Sequence, residues 1–342
     1  MTDAPPLRAT LKRGALVAAG NWPLVVVQFV AEATLKLLLA VPVVGGVVLV
    51  VLLLEANVDE LLAGDLRQIV TAVFSALRQN SAALMAFSIS FGIVVLGGSA
   101  LTFAVKGGTV ALLAKAEALA GPLERPPLRL QAVRRAGVVS IEGYLDGSRR
   151  LWRRYVRLGA CLLLVYALTA AVSLGLFVSG YQLADNIGLL LGWTVGAALG
   201  SGALIVWISL VNLFYLLMQM VIAVDDVSVR TALLRTINFL RRSLREVAGV
   251  FGIVLLLVGI ATVGSILATA GLGLIAFIPL VGLAVVPLQV AGWLLRGFVF
   301  QYLALTALSS YLTYYRYDQR GTAQPPAHLV DASEQFPGQR FA

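Results

Sequence analysis

Three charged side chains fall inside stretches that are otherwise hydrocarbon: Glu32 and Lys36, four residues apart in 22–54, and Arg296 near the middle of 280–312. An intramembrane charge costs about 2.5–3.5 kcal/mol on insertion scales, so each needs a partner or a polar pathway. Glu32 and Lys36, at i and i+4, can pair on their own helix. Arg296 needs a partner from another helix, and Glu32 is the evident acid at that depth. Two readings stay open: a structural ion pair, or a polar pathway or substrate site co-lined by Gln28, Asn212, Gln219, Gln289 and Gln301. Other chemistry is scarce. With one cysteine, Cys161, and one histidine, His328, the chain has no intramolecular disulfide, and two-His, Cys-His and CxxC metal sites cannot form within it. A Ser-His-Asp triad would depend on His328, which lies in a Pro-containing tail far from the apolar stretches. The expectation is a protein without cofactor or metal that is not an enzyme.

The elements that must hold these charges are membrane spans. Mean hydropathy is +0.91, and 59% of residues are hydrophobic and 13% charged, against about 45–50% and about 25% in soluble proteins. Lipid must therefore solvate much of the chain. Six spans are expected, at about 22–54, 82–105, 158–180, 187–224, 247–269 and 280–312, in one membrane domain (1–312) followed by a flexible cytoplasmic tail (313–342). Pro42 and Gly45-Gly46 suggest a kink in the first. The basic N-terminus leads into an apolar stretch longer than the 7–15 residues of a signal-peptide core, so no cleavable signal is expected.

Basic residues fall on alternate connections. The segment 106–157 carries 11 Lys/Arg against 4 Asp/Glu, and 225–246 carries 5 Arg against 3 acids, whereas 181–186 carries no basic residue. By the positive-inside rule both termini are cytoplasmic. The fold expected is all-α: a polytopic bundle of six transmembrane helices in three hairpins, N-in and C-in, with basic amphipathic interfacial helices, located in the cytoplasmic (inner) membrane. Residues 55–80 read as an external connection whose short helix, from Asp65 with Gln68 three residues on, lies flat on the outer surface.

The arginines also form faces. In 229–245 (VRTALLRTINFLRRSLR), Arg230, Arg235, Arg241, Arg242 and Arg245 oppose Val229, Leu233, Ile237, Leu240 and Leu244 at about 100° per residue. In 149–158 (RRLWRRYVRL), Arg149, Arg150, Arg153, Arg154 and Arg157 oppose Leu151, Trp152, Tyr155 and Leu158. A fainter copy, 7–17 (LRATLKRGALV), suggests three repeats of surface helix plus hairpin. These arginines are candidates to meet anionic headgroups of the cytoplasmic leaflet. The net charge of +9 lies beside spans, so nucleic acid is not an expected partner. Gly188, Gly192, Gly196 and Gly200 recur every four residues in the fourth span, a spacing that lets a second helix backbone approach within the chain, from a protein partner or from another copy.

The run IAVDDVSVRTALLRTINFLRRSLREVAG around Asp225-Asp226, and the ending YLTYYRYDQR from Tyr311, resemble an uncharacterised bacterial six-span family. Its members occur alone or as the membrane domain of some glycerophosphoryl diester phosphodiesterases. The resemblance lies in about the last 130 residues. It implies membrane location and transfers no catalytic residue, because the phosphodiesterase barrel is a separate domain. The function expected is a non-enzymatic accessory or scaffold component; the alternative is a transporter or lipid-handling protein using Glu32, Lys36 and Arg296.

Overall fold

The computed structural model describes residues 5–54, 81–121, 123, 130–276 and 281–323. The described residues form helices and contain no strand: α1 (Leu7–Gly20), α2 (Trp22–Leu54), α3 (Ser81–Leu119), α4 (Leu130–Arg135), α5 (Ile141–Asn186), α6 (Leu190–Asp225), α7 (Val229–Arg242), α8 (Leu244–Ala276) and α9 (Val281–Ala323). Six of them, α2, α3, α5, α6, α8 and α9, are long and apolar enough to cross a membrane. The expected external helix over 55–80, His328 and tail residues 324–342 lie outside the described residues.

Local chemistry sets the helix boundaries. Ser140 caps α5 by accepting from the Gly143 amide at 3.2 Å, and Ser228 caps α7 by accepting from Thr231 at 3.4 Å; both occupy the orphan donors of a first turn. Asp226 ends α6 in the left-handed region, φ 53°, where Asp is tolerated because its short polar side chain can bond locally. Asn21 breaks α1 from α2. Its amide donates to Val17 O at 2.9 Å and Ala136 O at 3.0 Å, and its carbonyl accepts from Val138 N at 3.0 Å. The corner is thereby stitched to the α4–α5 link.

Three expectations need correction. The basic segment 106–157 is largely helical: α3 runs on to Leu119, and α5 begins at Ile141. The arginine run 149–157 is consequently the first part of the α5 rod and not a separate surface helix. Discrete helices stand ahead of α2 and α8, as α1 and α7, but none stands ahead of the span in α5, so the expected third surface helix is missing. Thirdly, residues 313–323, assigned to the tail, continue α9, and Tyr314 and Tyr315 are buried. The signal for continuation is apolar spacing: Phe103, Val110, Leu113 and Ala116 on α3 fall on one buried face.

The core sits at one end of the molecule, the end that carries the arginines. Pro42, Ala184 and Val285 aside, the buried described residues lie in α1 and the first part of α2 with Asn21 between them, the last part of α3 with Ala120 and Leu123 just beyond it, Ala136 after α4, the first part of α5, the last part of α6, α7 with the start of α8, and the last part of α9. Away from this hub the helices turn apolar side chains outward, as in Leu191 (86% exposed) and Leu274 (73%); such surface suits hydrocarbon.

Within the hub, α3 and α5 run antiparallel at close range. Tyr144 Oη donates to Val105 O at 2.9 Å and Ser148 Oγ to Ala104 O at 2.9 Å. A Cβ on Gly108 would lie 2.8 Å from Tyr144 O, so only glycine fits there. Farther out, α5 and α6 are tied through Tyr166 Oη to Asn212 Oδ1 at 2.6 Å and Trp207 Nε1 to Thr169 Oγ1 at 3.2 Å.

Candidate functional site

Two buried acids organise the hub, and α9 joins them. Glu117, near the end of α3, is 5% exposed and lies 3.3 Å from Arg13 of α1 and 2.8 Å from Arg316 of α9. Its Oε1 also accepts from Thr313 at 3.4 Å, while Oε2 meets Arg316 as a charge contact without an aligned hydrogen bond. Arg13 further donates to Ala120 O and Gly121 O, each at 2.8 Å, and so satisfies carbonyls that the end of α3 leaves free. Arg316 donates to Ala114 O at 2.6 Å. A cleft of about 350 Å³ opens beside this group, with Arg320 on its rim.

The second acid is Asp225 at the end of α6. It accepts from Tyr315 Oη at 2.6 Å, from Gln319 Nε2 at 2.8 Å and from Arg235 of α7. That bond holds the Arg235 guanidinium more firmly protonated than a free arginine. Next door, Asp226 meets Arg154 at 2.5 Å and Arg150 at 3.8 Å. Tyr315→Phe should cost about 1–2 kcal/mol, because it leaves Asp225 one donor short in a buried setting. The midpoint of thermal unfolding in detergent checks this.

The ten arginines proposed for headgroups thus divide. Arg150, Arg154 and Arg235 are engaged by Asp225 and Asp226. Arg149, Arg153 and Arg157 on α5, Arg230, Arg241 and Arg242 on α7, and Arg245 on α8 are exposed. Apolar partners divide as well: Leu151, Tyr155 and Leu158 are buried, whereas Trp152 is 46% exposed.

The intramembrane charges are arranged differently from the expected Glu32–Arg296 pairing. Glu32 pairs with Lys36 at 2.8 Å on its own helix and accepts from Gln301 of α9. Arg296 is exposed and lies 5.3 Å from the Phe300 ring centroid, one turn along the same helix. Among the candidate co-liners, Gln301 reaches Glu32 and Asn212 holds Tyr166, while Gln28 is buried. Gln219 lies elsewhere, one helical turn from Tyr215 on α6, whose ring faces a cation that sequence reading placed in a loop. Lys106 of α3 sits 5.8 Å from the centroid of the Tyr215 ring of α6.

The glycine stripe makes little contact within the chain. Gly188 lies in the turn before α6 at φ +70°; a Cβ on Gly192 or Gly196 would meet nothing within 4 Å, and one on Gly200 would lie 3.8 Å from Phe177. The close approaches to another element's backbone occur at hub glycines, Gly14, Gly20, Gly108 and Gly137, that no regular spacing marks.

Together these features describe a fold that is helical throughout its described elements, with six helices long and apolar enough to cross a membrane and polar interactions concentrated at one end. No protein family, characterised protein or solved structure matches the chain.

Proposed function

We propose that the chain is a non-enzymatic accessory or scaffold component of a bacterial inner-membrane assembly, held on the cytoplasmic leaflet by anionic headgroups. In this reading the six spans form three hairpins with both termini cytoplasmic, as in the six-span family that the Asp225-Asp226 run and the α9 ending resemble. The observation that carries it is the partition of the arginines. Three are engaged by Asp225 and Asp226, and the seven others, all exposed, lie on α5, α7 and α8 at the same end. A juxtamembrane Lys or Arg gains about 1 kcal/mol at an anionic surface, so seven make a strong preference without any enclosed pocket.

The test is lipid exchange into nanodiscs of matched zwitterionic and anionic composition, followed by native mass spectrometry of the retained lipid. The wild type should retain anionic lipid preferentially, and a variant with Arg149, Arg153, Arg157, Arg241 and Arg242 changed to Gln should lose that preference. Equal retention by both would overturn the reading. The open face around Gly192 and Gly196 gives the scaffold its meeting surface, for another copy or a protein partner. Replacing both glycines with Leu should abolish association while leaving monomer melting unchanged, which light scattering and thermal unfolding together check.

Lipid handling along a polar pathway is the second reading. It is favoured by the Glu32–Gln301 contact, which places a carboxylate between α2 and α9 with Lys36 and Arg296 exposed alongside.

A further inference from the structure

A group of unmet donors lies at the level where α3 passes α5 and α6. A Cβ on Gly107 would contact Leu151 and Tyr155, which sets the adjacent Lys106 level with Arg153 and Arg157, the arginines that face headgroups in the reading above. Lys106 makes no hydrogen bond and no ion pair among the described residues; its ammonium rests over Tyr215. Glu32 attracts it through space, but both Glu32 oxygens are taken, by Lys36 and Gln301. Tyr215 and Gln219 are 7% and 5% exposed; the Tyr215 hydroxyl and the Gln219 side-chain nitrogen lie near each other, but neither has an aligned hydrogen-bond partner.

Their positions are well fixed. Phe103 packs edge-on against Tyr215 with centroids 6.3 Å apart, and Tyr155 Oη donates to the Gln219 carbonyl at 2.7 Å. Tyr215 and Gln219, at i and i+4, share one face of α6. A part-buried cation beside two donors without aligned partners, in a low-dielectric setting, is costly unless an anion completes it.

We propose that Lys106, Tyr215 and Gln219 form an internal anion site that takes a phosphate group. One ammonium matches the single charge of a phosphodiester, and the hydroxyl and the amide match its non-bridging oxygens. Level with the outer arginines, the site suits a phospholipid phosphate drawn in between helices; free inorganic phosphate presents the same oxygens.

The test uses the full chain, purified in mild detergent, taken through delipidation and examined by native mass spectrometry, with calorimetric titration of inorganic phosphate as a second arm. Wild type should hold one phospholipid through delipidation. Lys106→Met should release it, with affinity about tenfold weaker or worse, since a charge-assisted bond is lost; Lys106→Arg should keep it. Gln219→Leu, which preserves helix and volume, should weaken retention if Lys106→Met does not fold. The five-arginine variant described above should keep this one lipid even where it loses its general anionic preference, which separates the two proposals. Phosphate binding to wild type without lipid retention, lost in Lys106→Met, would support the site with free phosphate as its occupant. Identical lipid retention by wild type, Lys106→Met and Gln219→Leu would overturn the proposal, as would absence of both lipid and phosphate binding from the wild type.

Discussion

Glu117→Ala should be the most damaging single substitution in the chain. It removes the counter-charge from Arg13 and Arg316 together, whose side chains are 14% and 20% exposed. Removing one partner of a buried ion group costs about 3–5 kcal/mol, and the partial exposure of the arginines places the effect near the lower bound. The unfolding midpoint should fall by roughly 5 °C or more, with loss of a monodisperse peak in detergent. Glu117→Gln should do less harm, because a carboxamide oxygen can still accept from Arg13 and Thr313. A shift below about 2 °C for the alanine variant would show that the hub does not depend on this charge.

Gly14→Leu should rank second. Gly14 sits where α1 crosses α9; a Cβ there would collide with Ser310 Oγ and lie 2.7 Å from Thr306 O. A side-chain oxygen can rotate away, but a backbone carbonyl inside α9 cannot, so the two helices would have to separate. Overpacking costs typically about 1–3 kcal/mol, and separation would also strain the Tyr302–Ala15 bond of 3.1 Å. Gly192→Leu, with nothing within 4 Å, is the control and should leave monomer melting unchanged. Equal damage from both substitutions would refute the division between packed hub and open spans.

That division marks the limit of what the sequence reveals. Long apolar helices are legible because composition alone demands lipid, and α7 is legible as a basic helix because 3.6-residue periodicity shows in a discrete helix, although the residues it buries, Ala232, Thr236 and Phe239, are not the apolar arc read from the sequence. The hub is not legible for a related reason. Lys106 and Glu117 lie amid so many charges that 106–157 reads as a connection, although α3 and α5 continue through it packed against each other. Asp225-Asp226 is conspicuous in the sequence as an acidic turn, but its partners Arg154 and Tyr315 are 72 and 90 residues away, beyond any local pattern. Gly192 and Gly196 mislead in the opposite sense. Regular spacing marks where a helix could approach, whereas Gly14 and Gly108 are identified only by the backbone atoms they face.

The meeting of α1 with α9 also bears on how the protein is made. Tyr302 Oη donates to Ala15 O across 287 residues of chain, and Tyr314 Oη to Pro5 O across 309, so the first described helix finds its mate in the last described one. Until α9 has been synthesised, Arg13 and Glu117 lack Arg316, their third member. Closing so long a loop adds only a logarithmic entropy cost, but the delay is set by the ribosome, at about 5–20 residues per second. A chain truncated before α9 would therefore expose an unfinished polar surface, the kind of defect by which membrane quality control tells a complete protein from an incomplete one.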